Sequence, residues 1–408
     1  MRSRILALVT FAGVLAIGGC GWTQYRGDSR HTGSNIFEHD ISVANVGTLT
    51  PAWTNTNQDL ARQEVVVRGG RAFVAAPLNF YAMKTKTGVV DWHVGRTKGT
   101  FGPATTDGGN GNGRVYPVER WTIVTGPLTG EQGGVVPVLD ATSGTSLDSI
   151  PLGSSPPVFS GAWRYATINA DIFPTTSLPI YHHRVDATAG STSFSVDFPQ
   201  SYINDLATDG DHVFAVANNF NSLAAIPRRG CGTTTCAPLW RSATLGEYFQ
   251  SVSISGPTVF AQASAIVYAF PAAGCGQSQC SPLWRTPEPA LGDPIAIAIS
   301  GDRLYLTRGS KLEVYAAAGC GSAVCAPLWT STITGMPTAP SVANGVVYAG
   351  SSDGTLFAWD AAGCGAATCP ALVAGAQGGA LGPVTIDDGS LYFTVGGALR
   401  KLVLPDPS

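Results

Sequence analysis

From residue 49 onward, apolar residues fall in short runs separated by Gly-rich or polar turns. The runs are rich in Val, Ile, Leu, Phe and Tyr, the composition of buried strands. In the second half the pattern repeats openly. "PTVFAQASAIVYAFPAAGCGQSQCSPLW" is followed by "DRLYLTRGSKLEVYAAAGCGSAVCAPLW", and related segments precede and follow them. The first cysteines of these units, Cys231, Cys275, Cys320 and Cys364, lie 44, 45 and 44 residues apart. Each unit holds a run, a turn, a second run, a cysteine turn, and a third run opening at Leu-Trp. Each is preceded by one further run, such as "SVSIS" or "IAIAIS". Four short strands in a period near 44 residues are the signature of a β-propeller blade. The first half carries the same plan without cysteines, at 71–95, 114–153 and 163–198. The fold expected is all-β: a propeller of four-stranded antiparallel blades, eight of them, with seven as the alternative because the second and third are irregular. The last blade has only three runs of its own. "LTPAWTN" (49–55) reads as a lone outer strand that completes it and closes the ring, removing exposed sheet edges. The domain reading is 1–19 signal peptide, 20–48 lipid tether and N-terminal segment, and 49–405 one propeller.

The turns carry a resemblance. Ala82-Met-Lys-Thr-Lys-Thr-Gly88-Val-Val-Asp-Trp92 resembles the Ala-x-Asp-x-x-Thr-Gly-x-x-x-Trp repeat of quinoprotein-type (PQQ-like) propellers. Val138-Leu-Asp140-Ala-Thr-Ser-Gly144, Arg184-Val-Asp186-Ala-Thr-Ala-Gly190 and Trp359-Asp360-Ala-Ala-Gly363 match its first part. Trp22-Thr-Gln-Tyr-Arg-Gly-Asp28-Ser-Arg-His-Thr-Gly33 is similar to the N-terminal signature of secreted members. The resemblance speaks for fold more than for activity, because this scaffold hosts enzymes and non-enzymes alike.

The eight cysteines of the second half form four Cys-x4-Cys pairs: Cys231–Cys236, Cys275–Cys280, Cys320–Cys325 and Cys364–Cys369. A zinc site needs four ligands around one ion, whereas each pair supplies two and sits on its own blade with no histidine near. A redox centre favours Cys-x-x-Cys in a setting that lowers a thiol pKa. Local disulfides, stapling the turn between third and fourth strands, are expected instead. Trp92, Trp240, Trp284 and Trp329 are expected to pack between neighbouring blades. Val373 takes the tryptophan's place in the last cysteine unit.

The ninth cysteine stands apart. Arg2 and Arg4 precede an apolar run, Ile5–Gly18, that is short for a membrane span and reads as a signal peptide. Ile17-Gly18-Gly19-Cys20 resembles a bacterial lipobox, which implies a lipidated Cys20 and an exported chain held at the cell or outer membrane through that lipid alone. Export places the other cysteines where disulfides persist. Charged residues make up 12% of the chain and the net charge is −3, which excludes the basic face of a nucleic-acid binder.

No catalytic motif appears. The quinoprotein enzymes carry a Cys-Cys dipeptide and acidic and Asn calcium ligands; this chain has no such dipeptide, and Asp171, Asp205 and Asp293 match no part of that site. No cofactor is expected, PQQ with calcium included. "GGNGNGRVYPVE" (108–119) mimics a calcium loop at Asn110, Asn112 and Glu119, but Gly108 replaces the first ligand and Asp107 is one residue out of register. An enlarged hairpin turn is the plainer reading. His182-His183 would point to opposite faces of a strand. Arg26-Gly27-Asp28 spells an adhesion tripeptide inside the N-terminal signature, where coincidence explains it. The function expected is a non-catalytic scaffold that binds an envelope or extracellular protein; the alternative is an extracytoplasmic dehydrogenase or small-ligand binder using the central funnel.

Overall fold

A computed structural model describes residues 22–405, apart from 57–58, 96–99, 108–112, 126–127, 152–156, 161, 173–179, 190, 200–202, 218–221 and 290–294. Eight antiparallel blades form a ring. Taking blade 6 as an example, Ile295–Ser300, Arg303–Arg308, Lys311–Ala316 and Trp329–Thr332 run from inside to outside in chain order. Two families of turns therefore lie on opposite faces. First-to-second and third-to-fourth turns share one face, here called lower; second-to-third turns and blade connections share the upper. Middle strands are buried on both sides, as in Thr258–Ala263, because each blade is sandwiched between two others. Outer strands such as Trp329–Thr332 alternate buried and exposed positions.

Blade 8 is closed by the N-terminal strand. Thr50–Asn55 pairs antiparallel with Ala398–Val403, outside Ser390–Val395 and Thr385–Asp387. Blades 2 and 3 are irregular because their middle strands are long, Arg114–Thr125 with Leu128–Asp140, and Trp163–Ile172 with Ile180–Ala189. In blade 2 the inner strand stops at Thr100 opposite Arg120, but the hairpin continues to Thr125. At about 3.3 Å per residue it projects roughly 17 Å above the upper face.

The core is a series of interfaces between neighbouring blades. Between blades 4 and 5, Phe214, Trp240, Phe249, Val252 and Phe270 pack into one cluster. Burying each such side chain stabilises the ring by about 1.5–3 kcal/mol. The tryptophans order these interfaces: each outer-strand ring covers a turn glycine of the next blade. Trp53 lies on Gly88, Trp92 on Gly144, Trp240 on Gly274, Trp284 on Gly319 and Trp329 on Gly363. Phe194 takes the same place on Gly230. Trp53, Trp92 and Trp240 also donate their indole N–H to Thr85 O, Ala141 O and Ala272 O at 3.0–3.3 Å. Val373 breaks the pattern for a physical reason. Its neighbour, blade 8, takes its outer strand from residues 50–55, so it has no third-to-fourth turn and no glycine to cover.

The cysteine pairs lie in those third-to-fourth turns, with Cα atoms 5.5–5.8 Å apart in all four disulfides. Each turn also reaches backward. Thr235-Cys236 pairs in parallel with Ser195-Val196 of blade 3, and Gln279-Cys280 with Arg241-Ser242 of blade 4. Val324 and Thr368 bridge to Arg285 and Thr330 in the same way. The stapled turn thus serves as a short fifth strand on the preceding blade and covers its edge.

Candidate functional site

Residues 22–35 of the N-terminal segment run along the inner strands of the propeller. The inner strands ring an axial channel, and their inward backbone groups need partners. Residues 22–35 supply them to every blade in turn. Carbonyls of Trp22 and Thr23 accept from Val67 and Thr106, and those of Ser29, Arg30, Thr32 and Gly33 accept from Thr208, Ile254, Ile299 and Val342, at 2.7–2.9 Å. The Gln24 side chain accepts from Phe159 N at 3.3 Å, and Asn35 Nδ2 donates to Ile386 O at 2.9 Å. All these contacts fall within two residues of the lower-face turns. The segment is a plug across the lower mouth.

Arg26 organises the plug. It sits in left-handed backbone, φ 59°, and is 7% exposed. Its guanidinium donates to Ile297 O, and to Pro340 O at 3.1 Å. Its other arm lies 3.8 Å from buried Glu64, which also accepts from Arg26 N at 2.8 Å and from the Trp22 indole. Burial pushes the Glu64 carboxyl above its ordinary range, although Arg26 and Trp22 pull it down. The Arg26-Gly27-Asp28 tripeptide is therefore an internal brace. Asp28 accepts from Arg30 N, Thr32 N and the Thr32 hydroxyl at 3.0–3.1 Å.

Above the plug the channel opens into a funnel with a cavity of about 240 Å³. Tyr25, Arg26 and His31 form its floor; Asp205, Ser251, Gln262 and Ala296 are among its walls. His31 Nδ1 is 3.3 Å from Asp205 Oδ2, which also accepts from Val252 N at 3.1 Å, and both side chains are buried. Three buried polar atoms of the lining, Arg26 Nη1, Ser251 Oγ and Gln262 Oε1, make no hydrogen bond. The site combines apolar walls with a few polar atoms that lack a hydrogen bond, the composition of a small-ligand site. Among the described residues no three His, Cys, Asp or Glu side chains converge to hold a metal ion, and Asp205 is engaged by His31 and Val252.

Of the described residues singled out from sequence, Asp205 and Arg26 reach the funnel. Asp171 lies on a strand of blade 3, and Asp293 lies outside the described residues. His182 and His183 occupy successive positions of Ile180–Ala189. Cys20, Asn110 and Asn112 fall outside the described residues; Glu119 is on the second strand of blade 2, and Asp107 accepts from Arg114 N at 3.0 Å across the turn. Ser251 and Gln262 carry no motif, and His31 is marked, like Arg26, by belonging to the N-terminal signature.

Residues 132–363, more than half of the chain, match the family of the outer membrane protein assembly factor BamB. The chain belongs to the BamB family. Its fold is that of PQQ-like propellers. BamB from Moraxella catarrhalis superposes with a TM-score of 0.58 at 13% identity, over 87% of this chain and 99% of that one. Quinohemoprotein alcohol dehydrogenase from Comamonas testosteroni gives 0.66 at 12% identity, over 95% and 81%. The designed protein Ika8 gives 0.61 at 12% identity, over 86% and 100%. At these identities the likeness is one of fold, shared by a BamB and a dehydrogenase. No curated protein matches the sequence significantly.

Proposed function

We propose that this BamB-family propeller is an exported, lipid-anchored, non-catalytic scaffold that binds a protein partner in the cell envelope. The observation that carries the reading is the plug. It fills the lower end of the axis and ties all eight blades together, so the molecule presents a rigid surface. The long hairpins of blades 2 and 3 rise from the upper face and give that surface relief. Four disulfides fit an extracytoplasmic location, where such bonds persist. The N-terminal residues 1–19 act as the signal peptide and Cys20 takes the lipid. Crosslinking in intact cells followed by affinity capture tests this. One stoichiometric protein partner is expected, and shortening the blade 2 hairpin by residues 121–133 is expected to lose it. Recovery of no partner at all would sink the scaffold reading.

A second reading rests on the Ser251 and Gln262 oxygens of the funnel that make no hydrogen bond, which would suit a small, uncharged, hydroxyl-rich ligand. Thermal unfolding with monosaccharides, and separately with quinone plus calcium, distinguishes the two. The scaffold reading expects no shift; stabilisation by quinone plus calcium would overturn it in favour of an enzyme.

A further inference from the structure

We propose that the lower face of the propeller lies on the membrane surface, with Ile36 and Phe37 inserted at the channel mouth. This rests on the lipidation of Cys20 and goes beyond it, since a lipid alone leaves orientation open. Trp22 is fixed: its carbonyl accepts from Val67 near the lower turn of blade 1, and it is 1% exposed. Cys20 is two residues away, at most about 7 Å along the chain. The upper rim is farther. In blade 5 the inner strand climbs from Ile254, bonded to the plug, back to Phe249, roughly 17 Å at strand rise. An acyl chain on Cys20 therefore meets the bilayer only at the lower mouth.

The chain leaves the channel at that same mouth. Ser34-Asn35 runs parallel to Val342-Ala343, toward the lower turns. The next two residues, Ile36 and Phe37, are 71% and 56% exposed. They are not on a loose tail. Phe37 N donates to Asn35 Oδ1 at 3.0 Å, and buried Glu38 accepts from Asp40, Ile41 and Gly389 backbone N–H groups at 2.8–3.0 Å. A rigid turn thus holds two consecutive large apolar side chains in solvent, which costs free energy unless they are covered. A bilayer at the lower mouth covers them. The upper face, with the funnel and the long hairpins, then points away from the membrane toward any partner.

The test uses full-length acylated protein on phosphatidylethanolamine–phosphatidylglycerol vesicles carrying brominated acyl chains. Phe37→Cys and Tyr248→Cys are each labelled with an environment-sensitive fluorophore; Tyr248, 60% exposed, lies in an upper-face connection. Ile36→Cys is a second lower-face position should Phe37→Cys fold poorly. The label at 37 or 36 is expected to shift to the blue and lose most of its emission to bromine, while that at 248 is unchanged. Quenching at 248 instead, or at neither position although the protein floats with vesicles, would overturn the orientation and leave anchoring intact. A mass without acyl chains and no flotation would overturn the anchoring, and the orientation with it. Crosslinking of position 37 to a protein rather than lipid would also overturn it.

Discussion

Single residues decide how tightly the blades seat. Gly274 has φ 81°, and a β-carbon there would lie 2.6 Å from Trp240 Cδ1. Gly274→Ala therefore meets both backbone strain and a clash, and is expected to cost about 1–3 kcal/mol in denaturant unfolding. A loss below about 0.5 kcal/mol would show that the tryptophan seat is slack. Asp387, at the lower turn of blade 8, is a different case. Burial first, then the neighbouring Asp388, pushes its carboxyl up to about 7 from an ordinary 3.8. Below pH 4 it is protonated whether folded or unfolded. Between pH 4 and 7 the unfolded chain loses the proton first, so stability falls as pH rises, and above pH 7 the whole penalty stands. Asp387→Asn is expected to stabilise by on the order of 2 kcal/mol at pH 8 and by nothing near pH 4. Equal melting shifts at both pH values would refute this.

At the scale of the element, the disulfide turn has three jobs. It seats the preceding blade's ring on its glycine, pairs with that blade's outer strand, and is locked by the bond. Closing so short a loop stabilises by about 2 kcal/mol in the chain-entropy model. The double variant Cys275→Ser with Cys280→Ser is expected to lose about that much, and hydrogen exchange should quicken at Arg241 and Ala243, whose N–H groups bond the turn at 2.8–2.9 Å. Exchange rising only inside the turn would show that it does not hold its neighbour. The repeat, the strands and the cysteine pairing were legible because period and spacing are local properties of the chain. The backward pairing was not, since "GQSQC" carries no mark of which outer edge it meets.

At the scale of the molecule, the plug turns eight sheets into one unit. Arg26→Ala removes donors to Ile297 and Pro340 and leaves Glu64 buried without its cation. The expected loss is about 3–5 kcal/mol, the penalty of an uncompensated buried charge. Unfolding of the variant should also broaden, because residues of blade 6 and of the segments leading into blades 1 and 7 meet at this residue. A change under about 1 kcal/mol would mean that the ring closes without the plug.

Taken alone, the sequence determined the repeat, the blade type, the ring closed by residues 49–55 and the four disulfides. Each follows from near-neighbour patterns: alternation, turn composition and a fixed period. Only the tertiary structure decided what Trp22–Asn35 does. Those residues have no periodicity, and their partners lie up to 351 positions away, so they acquire a role once eight inner strands converge on one axis. The same convergence made Arg26-Gly27-Asp28 a buried brace, brought Asp205 to His31, and explained Val373 through a turn that blade 8 lacks.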